Sequence, residues 1–110
     1  MLARKNRVSK AEFPTPRSKG VRFVSLLFSG ILYPTGKSTK FSVVVSKKTA
    51  RTAVSRNLIR RRFYSAVGPL LKEIKTAALV VFYPKIEAAK TSFVELEKEI
   101  KNVFIKNSLL

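Results

Sequence analysis

Residues 41–62 set the strongest condition on any fold this chain adopts. Phe41-Ser42-Val43-Val44-Val45-Ser46 alternates as a strand, with Phe41, Val43 and Val45 on one side and Ser42, Val44 and Ser46 on the other. It runs straight into residues 47–62, where seven of sixteen side chains are Lys or Arg and none is acidic. A helical reading of that second part sorts it into two sides. At about 100° per residue, Arg56, Asn57, Arg60, Arg61 and Tyr64 share one arc of roughly 140°. Val54, Leu58, Ile59, Phe63, Ala66 and Val67 take most of the remaining circumference. The second group requires a sheet to pack on, and the first requires an open side.

The open side is the unusual one. The arc holds five polar groups with no carboxylate among them, and its three arginines repel one another unless a partner supplies negative charge. Arg outnumbers Lys on this arc, which suits planar, bidentate contact with phosphate. Asn57 adds a donor and an acceptor for a base edge, a 2′-hydroxyl or a backbone group. A solvated basic helix is the bland alternative. The whole-chain balance weighs against it: the net charge is +17, and residues 1–62 carry +15 of it and all nine arginines. A polyanion, and so nucleic acid, is the expected partner.

At this point the residues carry a resemblance. Val45-Ser46-Lys47-Lys48, a short loop, then Ala53-Val54-Ser55-Arg56-Asn57-Leu58-Ile59-Arg60-Arg61 resembles the signature of the bacterial ribonuclease P protein component. The resemblance implies binding to a ribonuclease P RNA subunit and to the 5′ leader of precursor tRNA. The RNA subunit and its Mg²⁺ would carry out phosphodiester hydrolysis, with no cofactor held by the protein alone and no protein partner. On that basis Lys47, Lys48, Arg51, Arg56, Asn57, Arg60, Arg61 and Arg62 are the candidate RNA contacts. Two positions depart from the family pattern: Leu58 and Tyr64 stand where that family commonly has basic residues.

The rest of the chain reads as one small domain. At 110 residues it suffices for one core, with residues 1–20 as a basic arm or short helix. Pro14 and Pro16 limit that helix. The resemblance places Phe13 there as an aromatic lining a cleft for the leader. Residues 21–33 are rich in β-branched and aromatic types and read as strand. Val24, Leu26 and Phe28 would share one face, Val21, Phe23, Ser25 and Leu27 the other, and Ser29-Gly30 would mark a bulge. Phe23 and Phe41 on a sheet face would stack unpaired bases, or else belong to the core. Pro34-Thr35-Gly36-Lys37-Ser38-Thr39 is similar to the end of a phosphate-binding loop, yet the position five before Gly36 is Ile31 and not glycine.

Gly68-Pro69 punctuates the chain, ending or kinking the basic helix. Ala77–Tyr83 is a continuous apolar run, the pattern of a central strand covered on both faces. A last helix follows, capped by Thr91 or Ser92, with Phe93, Leu96, Ile100, Val103 and Phe104 as its packing stripe. The expected fold is α/β, in the order α-β-β-β-α-β-α over residues 1–110, with about four strands. The resemblance adds a left-handed β-α-β crossover.

Chemistry is constrained by what is missing. There is no His or Cys and only six carboxylates, and Glu95, Glu97 and Glu99 point to different sides of a helix, so no metal site or acid–base pair is expected. No apolar run is long enough to span a bilayer, no secretory signal opens the chain, and the cytoplasm is the expected location. The other readings are a structural RNA-binding protein of ribosomal type and a DNA-binding module that uses the arginine helix.

Overall fold

The computed structural model describes Arg7 and residues 20–34, 39–74 and 78–107; the expected N-terminal helix, Phe13 and most of the Pro34–Thr39 segment lie outside these residues. The elements are β1 (Val21–Val24), β2 (Phe28–Pro34), β3 (Lys40–Val43), α1 (Ala53–Val67), a 3₁₀ turn (Gly68–Glu73), β4 (Ala78–Pro84), α2 (Glu87–Lys90) and α3 (Phe93–Lys106). The four strands form one sheet in the order β1-β2-β4-β3. β4 runs antiparallel to β2 and parallel to β3. The expected central strand is therefore present, and its apolar run fits its position: Ala78, Val80 and Phe82 are buried on one face and Val81 on the other. β3 reaches its parallel neighbour through α1, which makes the basic helix a crossover connection.

Residues 21–34 depart from expectation. They form two strands joined at Ser25–Leu27, not one strand with a bulge at Ser29-Gly30. The Ser25 hydroxyl accepts from the Leu27 amide (3.0 Å) and the Phe28 amide (3.3 Å), and the Ser25 amide donates to the Phe28 carbonyl (2.8 Å). A serine that offers its own turn-forming acceptor breaks a β-prone run without Gly or Pro. Beyond the turn the pairing is unbroken through Ser29 and Gly30. Gly30 serves packing instead: a Cβ there would lie 2.3 Å from the Phe23 ring, so the missing side chain is what lets that ring lie across β2. The turn also breaks the assumed alternation, leaving Phe23, Leu27 and Phe28 buried and Val21, Val24 and Leu26 exposed.

α1 begins at Thr52, whose hydroxyl accepts from the Ser55 amide at 3.0 Å. Its buried stripe is Ile59, Phe63, Ala66 and Val67. Val54 and Leu58, expected on the packing side, are 70% and 55% exposed. At about 100° per residue both lie more than about 120° from the centre of that stripe, so the arc left over by the cations is wider than the stripe the core covers. Phe93 lies on the packing side of α3 but at its start, where it is 39% exposed, whereas Leu96, Ile100, Val103 and Phe104 are buried. Ser92 caps α3 by accepting from the Glu95 amide at 3.2 Å. At Gly68 the α1 backbone tightens into a 3₁₀ turn with Pro69 in its first turn.

Both helices cover the sheet face that carries an aromatic cluster. Phe82 stands at its centre, with ring centroids of Phe28 and Phe63 at 5.4 Å, Phe23 at 5.8 Å, Phe104 at 6.1 Å and Phe41 at 6.3 Å. Most of these pairs are edge-on or tilted, the arrangements that ring quadrupoles favour.

Candidate RNA interface

The cationic side is built at the junction of β3 and α1. After Val45 the chain turns tightly, with the Ser46 carbonyl accepting from the Thr49 and Ala50 amides, both at 3.1 Å. The Thr49 hydroxyl donates to the Pro84 carbonyl (3.3 Å), which ties the turn to the end of β4. This holds Lys47 and Lys48 outward on a fixed corner, with Arg51 exposed just beyond. On α1, Asn57 and Arg61 are exposed and Arg60 is half-buried. Arg60 donates to the Asn57 amide oxygen at 2.6 Å, so a guanidinium and an amide nitrogen are presented side by side. Arg56 donates to the carbonyls of Ala50 (3.1 Å) and Arg51 (2.9 Å), bracing the helix entry while keeping its charge. Among the described residues, no carboxylate pairs with Lys47, Lys48, Arg51, Arg56, Arg60 or Arg61. The cations expected from the sequence are thus brought together with their charge unneutralised.

Arg62 is placed differently. Its guanidinium donates to the carbonyls of Ala88 (3.0 Å), Ala89 (3.4 Å) and Thr91, so it fastens α1 to the short helix α2. Three charge-assisted bonds make it structural. Arg62→Ala should lower stability by about 2–3 kcal/mol, whereas Arg61→Ala should stay within about 0.5 kcal/mol; urea denaturation of both variants checks the difference.

Tyr64 explains one departure from the family pattern. It is half-buried against the core, and the Arg7 guanidinium lies 5.8 Å from its ring centroid. Burial raises its pKa, opposed by a Val43 backbone hydrogen bond and by the charges of Arg7 and Arg60. A basic side chain at this position would meet Arg7 and Arg60 as like charges, while an aromatic ring accepts a cation on its face.

The aromatics proposed for single-stranded RNA need correction. Phe41 is fully buried and Phe23 nearly so, both within the aromatic cluster, so neither has a face free for a base. The opposite sheet face offers what they lack. Register puts Arg22, Ile31, Val81 and Ser42 in one row and Tyr33, Leu79 and Lys40 in another, with Tyr83 opposite Ser29. Tyr33 and Tyr83 are half-buried on this face. Burial raises the Tyr83 pKa, the Tyr33 phenol raises it further, and Arg22 lowers it, which places both phenols and one cation in a single electrostatic neighbourhood. Sequence reading passed over Tyr83 because Ala77–Tyr83 looked uniformly apolar, and over Tyr33 because it closes the β-prone run of residues 21–33. Period two within the Ala77–Tyr83 run, Leu79-Val81-Tyr83 against Ala78-Val80-Phe82, was the available signal for Tyr83.

Among the described residues, no three His, Cys, Asp or Glu side chains gather as metal ligands, and no helix is long and apolar enough to cross a membrane.

An α/β domain with an unneutralised arginine helix over one sheet face and tyrosines with cations on the other belongs to the class of RNA-binding proteins. The family model described as Ribonuclease P matches residues 2–108. The ribonuclease P protein component of Pseudanabaena sp. is 31% identical over 113 residues, covering 100% of this chain and 97% of that protein. That of Clavibacter michiganensis is 31% identical over 103 residues, covering 91% and 90%. Two solved structures share the fold. A mutant Staphylococcus aureus RNase P protein gives a TM-score of 0.73 at 18% identity, over 84% of this chain and 78% of that one. The Thermotoga maritima protein gives 0.69 at 17%, over 76% and 80%. The chain belongs to the ribonuclease P protein family. It serves in 5′ maturation of tRNA as the protein subunit of an endoribonuclease, with the RNA subunit as its partner. A structural RNA-binding role without processing is not favoured.

Proposed function

We propose that this subunit grips the ribonuclease P RNA with Lys47, Lys48, Arg51, Arg56, Asn57, Arg60 and Arg61, and holds the 5′ leader of precursor tRNA across the sheet face that carries Tyr33 and Tyr83. The observation behind the first half is the unneutralised charge of the β3–α1 corner. The cations there displace counterions condensed on the RNA backbone, so affinity falls with salt in proportion to the phosphate contacts made. The second half rests on the Tyr33 and Tyr83 rings and the Arg22 and Lys40 cations on one sheet face, the combination that suits stacked, single-stranded bases. Tyr33 and Tyr83 take the role first assigned to Phe23 and Phe41. Mg²⁺ enters with the RNA subunit, which supplies the hydrolytic chemistry, and the complex acts in the cytoplasm.

The test is cleavage of a 5′-extended precursor tRNA by bacterial ribonuclease P RNA at low Mg²⁺, with and without the chain. The chain should stimulate cleavage. Tyr33→Ala with Tyr83→Ala should weaken binding of the leader-bearing precursor by about 30-fold or more, from two stacking contacts worth about 1–3 kcal/mol each, while affinity for mature tRNA stays unchanged. An equal loss for both substrates would remove the leader from this face.

A further inference from the structure

Beside the cationic corner lies a cavity of about 490 Å³ that the grip on phosphates does not use, bounded by Thr49, Ala50, Ser55, Leu58, Arg62 and Ala89. Its size falls in the usual range for small-ligand sites. Part of its lining is aliphatic: Leu58 turns more than half its surface to solvent, on a helix that also exposes Asn57 and Arg61 nearby. One wall is the Arg62 guanidinium, whose two terminal nitrogens are spent on carbonyls of α2 and the residue after it. A guanidinium held that way is a fixed, flat, charged plate. Near the rim the Ser55 hydroxyl accepts from the Thr52 hydroxyl at 2.8 Å, which leaves its own hydrogen to donate. Among the described residues no acidic residue lines the cavity, and Lys47, Lys48, Arg51 and Arg61 adjoin its lining residues in the chain or on the helix surface.

We infer that this cavity receives one unpaired nucleobase of the RNA subunit, stacked between the Arg62 plane and Leu58, with its flanking phosphates on the neighbouring cations. The charge around the opening selects a polyanion, and the aliphatic lining with a planar wall selects a flat ring within it. Unpaired bases that leave their own stack are taken up on arginine planes and apolar side chains in this manner. Arg62 then has two tasks, as the α1–α2 fastening and as a stacking wall, and neither is the phosphate contact expected from sequence. The inference rests on the assignment of the β3–α1 corner to the RNA subunit.

The experiment uses the full chain with a bacterial ribonuclease P RNA transcript. Dimethyl sulfate reports base accessibility and hydroxyl radical reports backbone protection, for the native chain, Leu58→Ala, Ala89→Leu and Arg60→Ala/Arg61→Ala. Leu58 and Ala89 are both exposed, so the first removes the aliphatic lining and the second fills the cavity with little effect on folding, and circular dichroism verifies each. The native chain should alter the reactivity of one or two unpaired bases. Both cavity variants should restore those bases, weaken binding by about five- to tenfold and leave the salt slope and the backbone protections as they were. Base reactivities identical in the native and cavity-variant complexes would overturn the inference, leaving the cavity to a protein segment or to solvent while the RNA grip stands. Absence of any backbone protection by the native chain would instead bring down the underlying assignment.

Discussion

Phe82→Ala is expected to abolish a stable fold at ordinary temperature. Phe82 is fully buried and is the only ring in contact with all five other members of the cluster described above. Truncating a buried phenylalanine costs about 3–5 kcal/mol, as lost transfer energy and as a void. Small domains have about 5–15 kcal/mol in all, and a charge of +17 places this chain towards the low end through self-repulsion. Phe93→Ala, the same chemical change at a partly exposed position, should cost less than about 1 kcal/mol. Thermal unfolding of the two variants, followed by circular dichroism, separates them; similar midpoints would mean that the cluster does not hold the sheet and helices together.

The second large effect is on RNA. Lys48→Ala combined with Arg60→Ala and Arg61→Ala should lower affinity for the ribonuclease P RNA by about a hundredfold or more, and should reduce the slope of log affinity against log salt by roughly two to three. These side chains make no bond that holds the core, so the melting temperature should stay level or rise as repulsion is relieved. Filter binding across a salt series reads both quantities. A fall in affinity with an unchanged slope would show that the three side chains do not meet phosphate.

The sequence displayed the architecture and the cationic corner because both are written in strong local patterns. The Ala78–Pro84 strand is a continuous apolar run, and the α3 stripe of Leu96, Ile100, Val103 and Phe104 keeps helical period. The signature from Ser46 to Arg61 carries its loop and helix entry in fixed spacing. What failed depended on three-dimensional extent. Ser25 broke residues 21–34 by a side-chain turn that no Gly or Pro announces. Val54 and Leu58 were grouped with the packing side of α1 because they lie off the cationic arc, yet the stripe the core covers is narrower than the arc left over, and Phe93 sits past the end of the layer it was to cover. Phe23 and Phe41 were assigned to an open sheet face, because a strand pattern shows which residues alternate but not which face the helices will take. Arg62 was grouped with its neighbours by charge, and only the position of α2 in space reveals the carbonyls it serves.

That last contact bears on how the subunit meets its RNA. α1 leaves β3 through a turn pinned to Pro84 by Thr49, and Arg62 joins its middle to the chain that follows β4. Two points of attachment, one near the helix entry and one about three turns further on, oppose rolling of the helix about its own axis and sliding along the sheet. The direction of the helix face that carries Arg60 and Arg61 is therefore settled before any RNA arrives. A rigid array of charges gives up little orientational freedom on association, and a rigid array can demand a matching spacing of phosphates that a mobile one would forgive. In the proposed grip on the RNA subunit, the fastening at Arg62 would favour RNA whose phosphates match the spacing of this face.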